Sequence, residues 1–453
     1  MNLDRFFNAQ SVAVIGAARE EGKIGNVIFS NFLRAEFRGK VFPVNPNVDE
    51  VLGHKSYPSV RDIPEKVELA VIAVPAVIVP KVVEDCGKKG IKHVIIISAG
   101  FKEVGNKRLD AELLKMLEKY GILAIGPNCL GVFDSNTRID TLFLPHDRLM
   151  RPKQGGISFV SQSGASGSAI LDLAAKEGFG FAKFISYGNA MNVDESDLIE
   201  YLGNDPKTKV ICLYVEGVKD GRKFLDVCKK VSEVKPIIAI KGGITEAGRK
   251  AALSHTGSLA GSAEIYFGAF SQAGIIKAET LEELFDLVNI FEKLAAKPKG
   301  KRVQVITNGG GFGILCSDAI ATLGLGMAEL SSVTKTELKK KVPPIAIIDN
   351  PMDLLGDATT ERYKLAIDAC MKDRNIDVLL IVVLTQTPLI EKEKIVSILS
   401  EYNAQKKKPM VVVTTGSDYS ESVKKEIEEK GIPCFRFPFC AVKAIKKLVD
   451  FYC

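Results

Sequence analysis

Two stretches of this chain repeat one pattern, and the repetition restricts the folds open to it. Residues 156–167 (GISFVSQSGASG) and 302–313 (RVQVITNGGGFG) each contain an apolar run, a turn of small residues and the start of a helical pattern. Further pairs of buried strands are predicted in matching order, at 209–215 and 377–383 and at 236–241 and 409–414. Apolar strands that alternate with helices form a parallel sheet covered on both faces. The pattern therefore predicts a duplicated α/β unit of flavodoxin-like topology.

A further α/β unit precedes the repeat. Over residues 1–130, amphipathic stretches separate the predicted strands Ser11–Ile15, Lys40–Val44, Leu69–Val74, His93–Ser98 and Ile122–Ile125. A Gly-rich turn at 16–26 leads from the first strand into a helix, where a doubly wound fold holds a nucleotide pyrophosphate. The turn lacks G-x-G-x-x-G spacing, and no acidic residue follows the second strand to bind a ribose hydroxyl. These departures argue against NAD and permit another nucleotide-like ligand.

Clusters of proline, glycine and charge at 134–154 and 297–302 predict connectors between domains. At 453 residues the chain has room for about three domains. We expect an α/β protein throughout. A Rossmann-like domain at 1–130 is followed by flavodoxin-like domains at 150–294 and 301–453.

Composition excludes several classes of protein. The net charge is +6, the lysines are scattered, and no basic stripe interleaved with aromatic residues suggests nucleic acid. The nine cysteines form no C-x-x-C pair, so we expect free thiols in a reducing compartment. The N-terminus lacks a signal-peptide pattern, and the apolar stretch 67–83 is too short and interrupted to cross a membrane. The sequence thus predicts a soluble, cytoplasmic protein that binds neither membranes nor nucleic acid.

The two copies of the repeat differ where chemistry needs side chains. The first has Glu216 directly after a strand, where the second has Leu384, and only the first continues into the loop Ser254–Gly261 (SHTGSLAG). A neutral imidazole nitrogen of His255 could accept a phosphoryl group if an acceptor such as Glu216 held the other nitrogen. The alternatives are a mobile surface loop that happens to carry a histidine and a solvated carboxylate at a strand end.

Both repeats place a helix N-terminus after a small-residue turn, at Ser161–Gly167 and Asn308–Gly313. Two such ends could hold a phosphate between them, although two ordinary tight turns explain the pattern equally well. No histidine has a ligand partner at i+3 or i+4, so the sequence predicts no metal site. Cys129 ends a strand beside the expected ligand crevice, and we favour a packing role for it over a nucleophilic one.

Taken together, these segments resemble the α subunits of the nucleoside-diphosphate-forming acyl-CoA synthetases, of the ADP-forming acetyl-CoA synthetase type, which are relatives of succinyl-CoA synthetase. The likeness covers essentially the whole chain. Its most specific parts are Ser254–Gly261, Gly126–Gly131, Ser161–Gly164 and Thr307–Gly311. The resemblance implies a CoA-binding domain followed by two ligase-CoA domains.

The resemblance also implies roles for particular residues. His255 would be the phosphorylated histidine and Glu216 the residue that orients it. The implied phosphate-binding residues are Ser161, Gln162, Ser163, Gly164, Asn308, Gly309, Gly310 and Gly311. The implied CoA-binding residues are Gly16, Ala17, Gly22, Lys23, Gly25, Val44, Asn45, Pro46, Val74, Pro75, Ser98, Ala99, Gly100, Phe101, Asn128 and Cys129.

The implied reaction converts acyl-CoA, ADP and phosphate into a carboxylic acid, CoA and ATP through acyl-phosphate and phosphohistidine intermediates. The chain leaves no segment for an ATP-grasp domain, so an ATP-grasp β subunit is expected to supply the ADP/ATP and Mg²⁺ site, in an α2β2 assembly. Three alternatives remain: a catalytically inactive CoA-sensing regulator, the synthetase-like half of a protein acetyltransferase, and an NAD-dependent oxidoreductase. The last explains only the first domain.

Overall fold

A computed structural model describes residues 1–248 and 262–453. They divide into a first unit, Met1–Glu279, and a second unit, Thr280–Cys453. His255 and its loop, on which the predicted phosphoryl transfer depends, lie outside the described residues.

The first unit opens with a parallel five-stranded sheet. In chain order its elements are α1 (Arg5–Asn8), β1 (Ser11–Ile15), α2 (Ile24–Arg34), β2 (Lys40–Val44), β3 (Glu50–Val51), β4 (His54–Lys55), β5 (Leu69–Ile72), α3 (Val79–Lys89), β6 (His93–Ile96), α4 (Lys107–Tyr120) and β7 (Leu123–Ile125). The strand order is β2-β1-β5-β6-β7, while β3 and β4 form a separate hairpin. The order reverses between β1 and β5, where doubly wound sheets open a ligand crevice. β5 and β6 end two residues earlier than predicted because the chain turns there into loops at that crevice.

The second sheet of this unit carries the first repeat. Its elements are β8 (Gly131–Asp134), β9 (Ile139–Asp140), β10 (Lys153–Ser161), α5 (Gly164–Lys176), β11 (Gly180–Ser186), α6 (Glu195–Asn204), β12 (Val210–Val215), α7 (Gly221–Ser232), β13 (Ile237–Lys241), α8 (Ala263–Gln272) and β14 (Ile276–Ala278). The strand order is β14-β13-β12-β10-β11-β8-β9.

The segment expected to be a connector contributes to this second sheet. β8 pairs antiparallel with β11, and β9 pairs antiparallel with β8. The Thr141 hydroxyl accepts the backbone N–H of Val132 at 2.7 Å and is fully buried. Strands as short as β8 and β9 give no recognisable apolar pattern in the sequence, because proline and charged residues surround them.

The second unit repeats the same topology. Its elements are α9 (Leu281–Glu292), β15 (Arg302–Thr307), α10 (Gly310–Thr322), β16 (Gly326–Met327), α11 (Ser332–Lys339), β17 (Met352–Asp353), α12 (Thr360–Lys372), β18 (Val378–Val382), α13 (Lys392–Ala404), β19 (Met410–Val413), α14 (Asp418–Glu429), β20 (Cys434–Phe435) and α15 (Pro438–Tyr452). The order β16-β15-β18-β19-β20 matches the parallel core of the first repeat, so the predicted flavodoxin-like duplication is confirmed.

Helix α9 falls within the range 150–294 expected for the first repeat, yet it packs on α15 in the second unit. Lys443 on α15 forms an ion pair with Glu283 on α9 at 3.1 Å. Within residues 1–248 and 262–453, no helix combines the length and apolar character needed to cross a membrane.

Candidate functional site

A cavity of about 930 Å³ in the first unit brings many of the predicted site residues together. It lies where the loops after β5 and β6, the start of α5 and the residues after β12 meet. The predicted residues that line it are Val74, Pro75, Ser98, Ala99, Asn128, Cys129, Gln162, Ser163, Gly164 and Glu216. Six of the predicted CoA-binding residues and three of the predicted phosphate-binding residues of this unit therefore share one space.

The side chain of Gln162 holds the backbone that carries Glu216. Gln162 Oε1 accepts the backbone N–H of Glu216 at 2.8 Å and that of Gly217 at 3.0 Å. The backbone N–H of Gln162 donates to the carbonyl of Tyr214 at 3.0 Å. The side-chain amide of Gln162 thus joins the ends of β10 and β12. Its Nε2 group takes no part in these hydrogen bonds.

Glu216 is buried, and among the described residues its Oε2 has no hydrogen-bond partner. Leaving a buried carboxylate oxygen unpaired is costly, so this atom needs a donor. The Lys241 ammonium donates to the Glu216 backbone carbonyl at 2.8 Å. Burial, together with the charge of Glu216 and a hydrogen bond to its carboxylate, raises the pKa of Tyr214. Glu216 therefore presents an acceptor suited to an imidazole N–H.

The start of α5 presents backbone N–H groups to the same cavity. Ser163 caps the helix by accepting the N–H of Ser166 at 3.3 Å, and the buried Ser161 hydroxyl donates to the carbonyl of Ser163 at 2.6 Å. The Ser161 hydroxyl uses its proton within the turn, whereas the Ser163 hydroxyl accepts there and keeps its own proton. Gly164 and Ala165 line the cavity with the positive end of the helix dipole. The Ser161 hydroxyl proton is thus used within the turn, and the phosphate-binding role implied for Ser161 stays a prediction.

The matching turn of the second unit has the same construction. Asn308 Oδ1 accepts the N–H of Leu384 at 2.9 Å, and Asn308 Nδ2 donates to the carbonyl of Leu384 at 3.0 Å. The Tyr363 hydroxyl lies 3.0 Å from Asn308 Oδ1 and 2.6 Å from the Val382 carbonyl, so its one proton is shared between these two acceptors. Asn308 therefore fixes the turn, and the start of α10 at Gly310 and Gly311 follows it. Leu384 occupies the place that Glu216 has in the first unit, so the predicted asymmetry of the repeat is confirmed.

Two glycines of the predicted turn at 16–26, Gly16 and Gly25, pack against neighbouring backbone, and Ile24 of the same turn lines the cavity. Gly16 has φ +93°, and a Cβ there would overlap the carbonyl oxygen of Ala73; at Gly25 it would overlap the carbonyl oxygen of Gly16. Asn45 Nδ2 donates to the carbonyl of Ala17 at 2.8 Å and ties the turn to the end of β2. The predicted CoA-binding residues outside the cavity lining are Gly16, Ala17, Gly22, Lys23, Gly25, Val44, Asn45, Pro46, Gly100 and Phe101.

Cys129 is buried in the cavity wall. Its Sγ donates to the carbonyl of Ile96 at 3.3 Å, and burial raises the pKa of its thiol to about 12. A thiol of this kind holds its proton at neutral pH and is a poor nucleophile. This supports the packing role favoured from the sequence.

The cavity also contains residues that the sequence analysis did not select, namely Glu195, Lys102 and Lys219. Glu195 is 3% exposed, and burial raises its pKa to about 7. Lys219 Nζ donates to the carbonyl of Asn189 at 2.9 Å and also to that of Ala190. Lys219 is three residues beyond Glu216 and could have been suspected on that ground. No sequence signal distinguished Glu195.

Comparison with known families agrees with this architecture. A CoA binding domain matches residues 10–134, a succinyl-CoA ligase like flavodoxin domain matches 154–291, and a ligase-CoA domain matches 303–449. The fold and the cavity therefore define a CoA ligase of the succinyl-CoA ligase type. This result removes the NAD-dependent oxidoreductase from the alternatives.

Individual relatives narrow the family. The chain is 41% identical to the α subunit of acetate–CoA ligase [ADP-forming] II from Pyrococcus furiosus, over 99% of this chain and 97% of that one. It is 43% identical to acetate–CoA ligase [ADP-forming] from Methanocaldococcus jannaschii, over 98% of this chain but 62% of that protein. The chain belongs to the family of ADP-forming acetate–CoA ligases and corresponds in extent to their separate α subunits.

A solved structure shows the same fold. Acetyl-coenzyme A synthetase 1 from Ca. Korarchaeum cryptofilum, described as dinucleotide forming and solved with phosphate and ADP, is 38% identical. It superposes with a TM-score of 0.93 over 99% of this chain and 97% of that one.

Proposed function

We propose that this chain is the α subunit of an ADP-forming acyl-CoA synthetase, which converts acyl-CoA, ADP and phosphate into a carboxylic acid, CoA and ATP. One observation carries the proposal. Glu216, whose Oε2 lacks a partner among the described residues, lines the cavity that the N-terminus of α5 also lines. A phosphorylated histidine requires two things: a carboxylate that accepts the N–H of the ring nitrogen without phosphate, and a site that binds the negatively charged phosphoryl group. The relatives named as ADP-forming ligases support the same conclusion.

In the proposed sequence of steps, an oxygen of phosphate attacks the thioester carbonyl carbon. The carbon–sulfur bond breaks, CoA leaves as the thiol, and an acyl phosphate remains. A nitrogen of His255 then attacks phosphorus, and the carboxylate leaves. The phosphohistidine finally transfers its phosphoryl group to the terminal phosphate of ADP.

Glu216 would accept the N–H of His255, so that the other ring nitrogen carries the lone pair. The N-terminus of α5 would hold the phosphoryl group during its transfer. The second unit would contribute through the turn Asn308–Gly311, in which Asn308 positions the backbone of Gly309, Gly310 and Gly311. The small residues of the histidine loop would allow it to carry the group between sites.

For CoA, the residues present fit a long ligand with a phosphate-rich end and a narrow arm. The Gly16–Gly25 turn leaves no space for side chains beside β5, and Val74, Pro75 and Ser98 line the adjoining cavity. We propose that the turn supports the crevice for the pyrophosphate and that the pantetheine arm follows these residues to the thioester.

We further propose that an ATP-grasp β subunit supplies the nucleotide and Mg²⁺ site, in an α2β2 enzyme of the cytoplasm. The M. jannaschii relative is longer than this chain, which matches 62% of it. Among the described residues, no group of three or more His, Cys, Asp or Glu side chains is placed to hold a metal ion. All nine cysteines are free thiols, as suits a reducing compartment.

The test is to incubate the purified chain with labelled phosphate and acetyl-CoA, alone and with an ATP-grasp partner subunit, and then to map the label. We expect an acid-labile, base-stable phosphate on His255 that is absent from His255→Asn. CoA binding should survive in that variant. Absence of label under both conditions would overturn the proposal and favour a CoA-sensing regulator.

A further inference from the structure

Glu195 is the buried acid of the cavity that the steps above leave without a role. It begins α6, lines the cavity and is 3% exposed. Among the described residues its carboxyl bonds only to its own backbone N–H. The titratable and charged groups that face it are Asp194, Tyr187, Lys219, Lys223, Cys228 and Tyr266.

The other titratable groups of the cavity have partners of their own or are exposed to solvent. Cys129 donates to a backbone carbonyl, and Lys219 donates to two. Lys102 is exposed to solvent. Glu216 has the histidine as its expected partner. A proton donor for a leaving group must hold its proton near neutral pH and be free to release it. Among the described residues that line the cavity, Glu195 is the acid that meets both conditions.

We propose that Glu195 is the general acid that protonates the sulfur of CoA as the thioester is cleaved. This rests on the proposed function, because the phosphate and the thioester must meet in this cavity. The phosphate oxygen forms its bond to the acyl carbon while the carbon–sulfur bond breaks. The sulfur takes the carboxyl proton of Glu195, and the proton that phosphate loses returns the carboxylate to its acid form. In the reverse direction the carboxylate of Glu195 removes the proton from CoA.

The chemistry of the two groups is matched. Burial raises the pKa of Glu195 to about 7, Asp194 adds to the rise, and Lys219 and Lys223 oppose it. An ordinary thiol has a pKa of about 8.5, so a carboxyl group tuned toward neutrality can exchange a proton with it in both directions. Glu195 must be protonated to act as the acid. Its contribution to thioester cleavage is therefore complete below this pKa and is lost as the pH rises through it.

Arsenolysis of acetyl-CoA tests this step alone. Arsenate replaces phosphate, the acyl arsenate decomposes in water, and CoA release requires neither nucleotide nor His255. CoA release by the full chain, with and without the partner subunit, is followed from pH 6 to pH 9. For Glu195→Gln we expect a loss of about 10²-fold at pH 6 with little change in KM for acetyl-CoA. The ratio of wild-type to variant rate should fall as the pH rises, and the ionisation of arsenate cancels in that ratio.

Glu195→Asp keeps a carboxyl group, so its arsenolysis should be slower than that of the wild type but should keep the wild-type pH dependence. This variant provides the test if Glu195→Gln does not fold. Glu200→Gln, on the same helix with its side chain 47% exposed, should match the wild type. A Glu195→Gln variant with wild-type rates, or with one constant loss at every pH and a raised KM, would overturn the assignment. His255→Asn should retain arsenolysis. If the unsubstituted chain releases no CoA under either condition, the proposed function fails, and the role of Glu195 fails with it.

Discussion

Gln162 holds Glu216 from the neighbouring strand: its Oε1 accepts the backbone N–H of Glu216 at 2.8 Å and that of Gly217 at 3.0 Å. The Glu216 carboxylate, which we propose as the hydrogen-bond acceptor for His255, is thus positioned by the side-chain amide of Gln162, 54 residues earlier in the chain. Asn308 has the same relation to Leu384 in the second unit. Both copies of the repeat therefore keep the hydrogen bond from a side-chain amide that joins two strand ends. Only the first copy has an ionisable side chain, Glu216, at the joined position.

We predict that Gln162→Leu reduces phosphorylation of His255 and lowers stability. The substitution leaves two backbone N–H groups without an acceptor, which costs about 1–3 kcal/mol for each group that stays buried. Urea unfolding and the labelling assay measure the two effects. Gln405→Leu is the control, because Gln405 is exposed in the second unit and such changes stay within about 0.5 kcal/mol. Full labelling in Gln162→Leu would show that Glu216 does not need this support.

The Gly-rich turn allows a matched pair of substitutions. Gly16 and Gly22 both have positive φ, but a Cβ at Gly16 would overlap the backbone of Ala73, whereas a Cβ at Gly22 has open space within 4 Å. We predict that Gly16→Ala abolishes CoA binding or folding of the first unit. Gly22→Ala should cost only about 1 kcal/mol, from backbone strain. Calorimetric titration with CoA and thermal unfolding distinguish them, and equal losses in both variants would contradict a packing role for Gly16.

Much of the fold follows from the sequence because its signals are local. Apolar runs of five residues such as Ser11–Ile15 and Lys40–Val44 give strands with the predicted bounds, since buried parallel strands need apolar side chains on both faces. Strand β8 was missed because it pairs with β11, some 50 residues later, and β9 was missed because it in turn pairs with β8. Nothing in the sequence of the helix Leu281–Glu292 indicates that it packs in the second unit.

The site divides in the same way. Glu216 could be predicted because it ends a buried strand and the repeat supplies Leu384 for comparison. Glu195 could not, because its burial and its raised pKa arise from residues brought to it by folding. The hydrogen bonds of Ser161 and Asn308 also needed coordinates, since a small polar residue in a turn can bind a ligand or hydrogen-bond to the protein. Ser161 bonds within its own turn, whereas Asn308 bonds to the backbone of Leu384 on another strand end.

The buried thiol of Cys129 gives a prediction about reactivity. Burial raises its pKa to about 12, so it stays protonated at pH 8 and resists alkylation in the folded protein. Cys453 is exposed and should react first. Peptide mapping after brief iodoacetamide treatment measures this order, and Cys129→Ala should retain arsenolysis. Rapid alkylation of Cys129, or loss of arsenolysis in the alanine variant, would reassign it to the chemistry.

Lys183 offers a prediction about stability that also depends on pH. It is 3% exposed, and its Nζ lies 3.2 Å from Asp134 Oδ2 and 2.7 Å from Asp205 Oδ2. Lys183→Met removes the cation and leaves two buried carboxylates, which should cost about 3–5 kcal/mol at pH 7. Lys230→Met, with a side chain 76% exposed, is the control and should be nearly neutral.

The sign of the pH effect follows from Asp205. Burial acts to raise its pKa, but hydrogen bonds from Lys183 and Thr208 hold the pKa below the ordinary value. Asp205 therefore stabilises the wild type above the unfolded pKa of about 3.9, and that contribution is lost as the pH falls through the lower folded pKa. Without Lys183, we expect burial to raise the pKa of Asp205. As the pH falls, Asp205 is then protonated at a higher pH in the variant than in the wild type, and protonation removes the cost of burying its charge. Urea unfolding at pH 7 and pH 4.5 should show a smaller gap between wild type and Lys183→Met at the lower pH, and a gap that stays constant would mean that the two carboxylates are solvated once the lysine is removed.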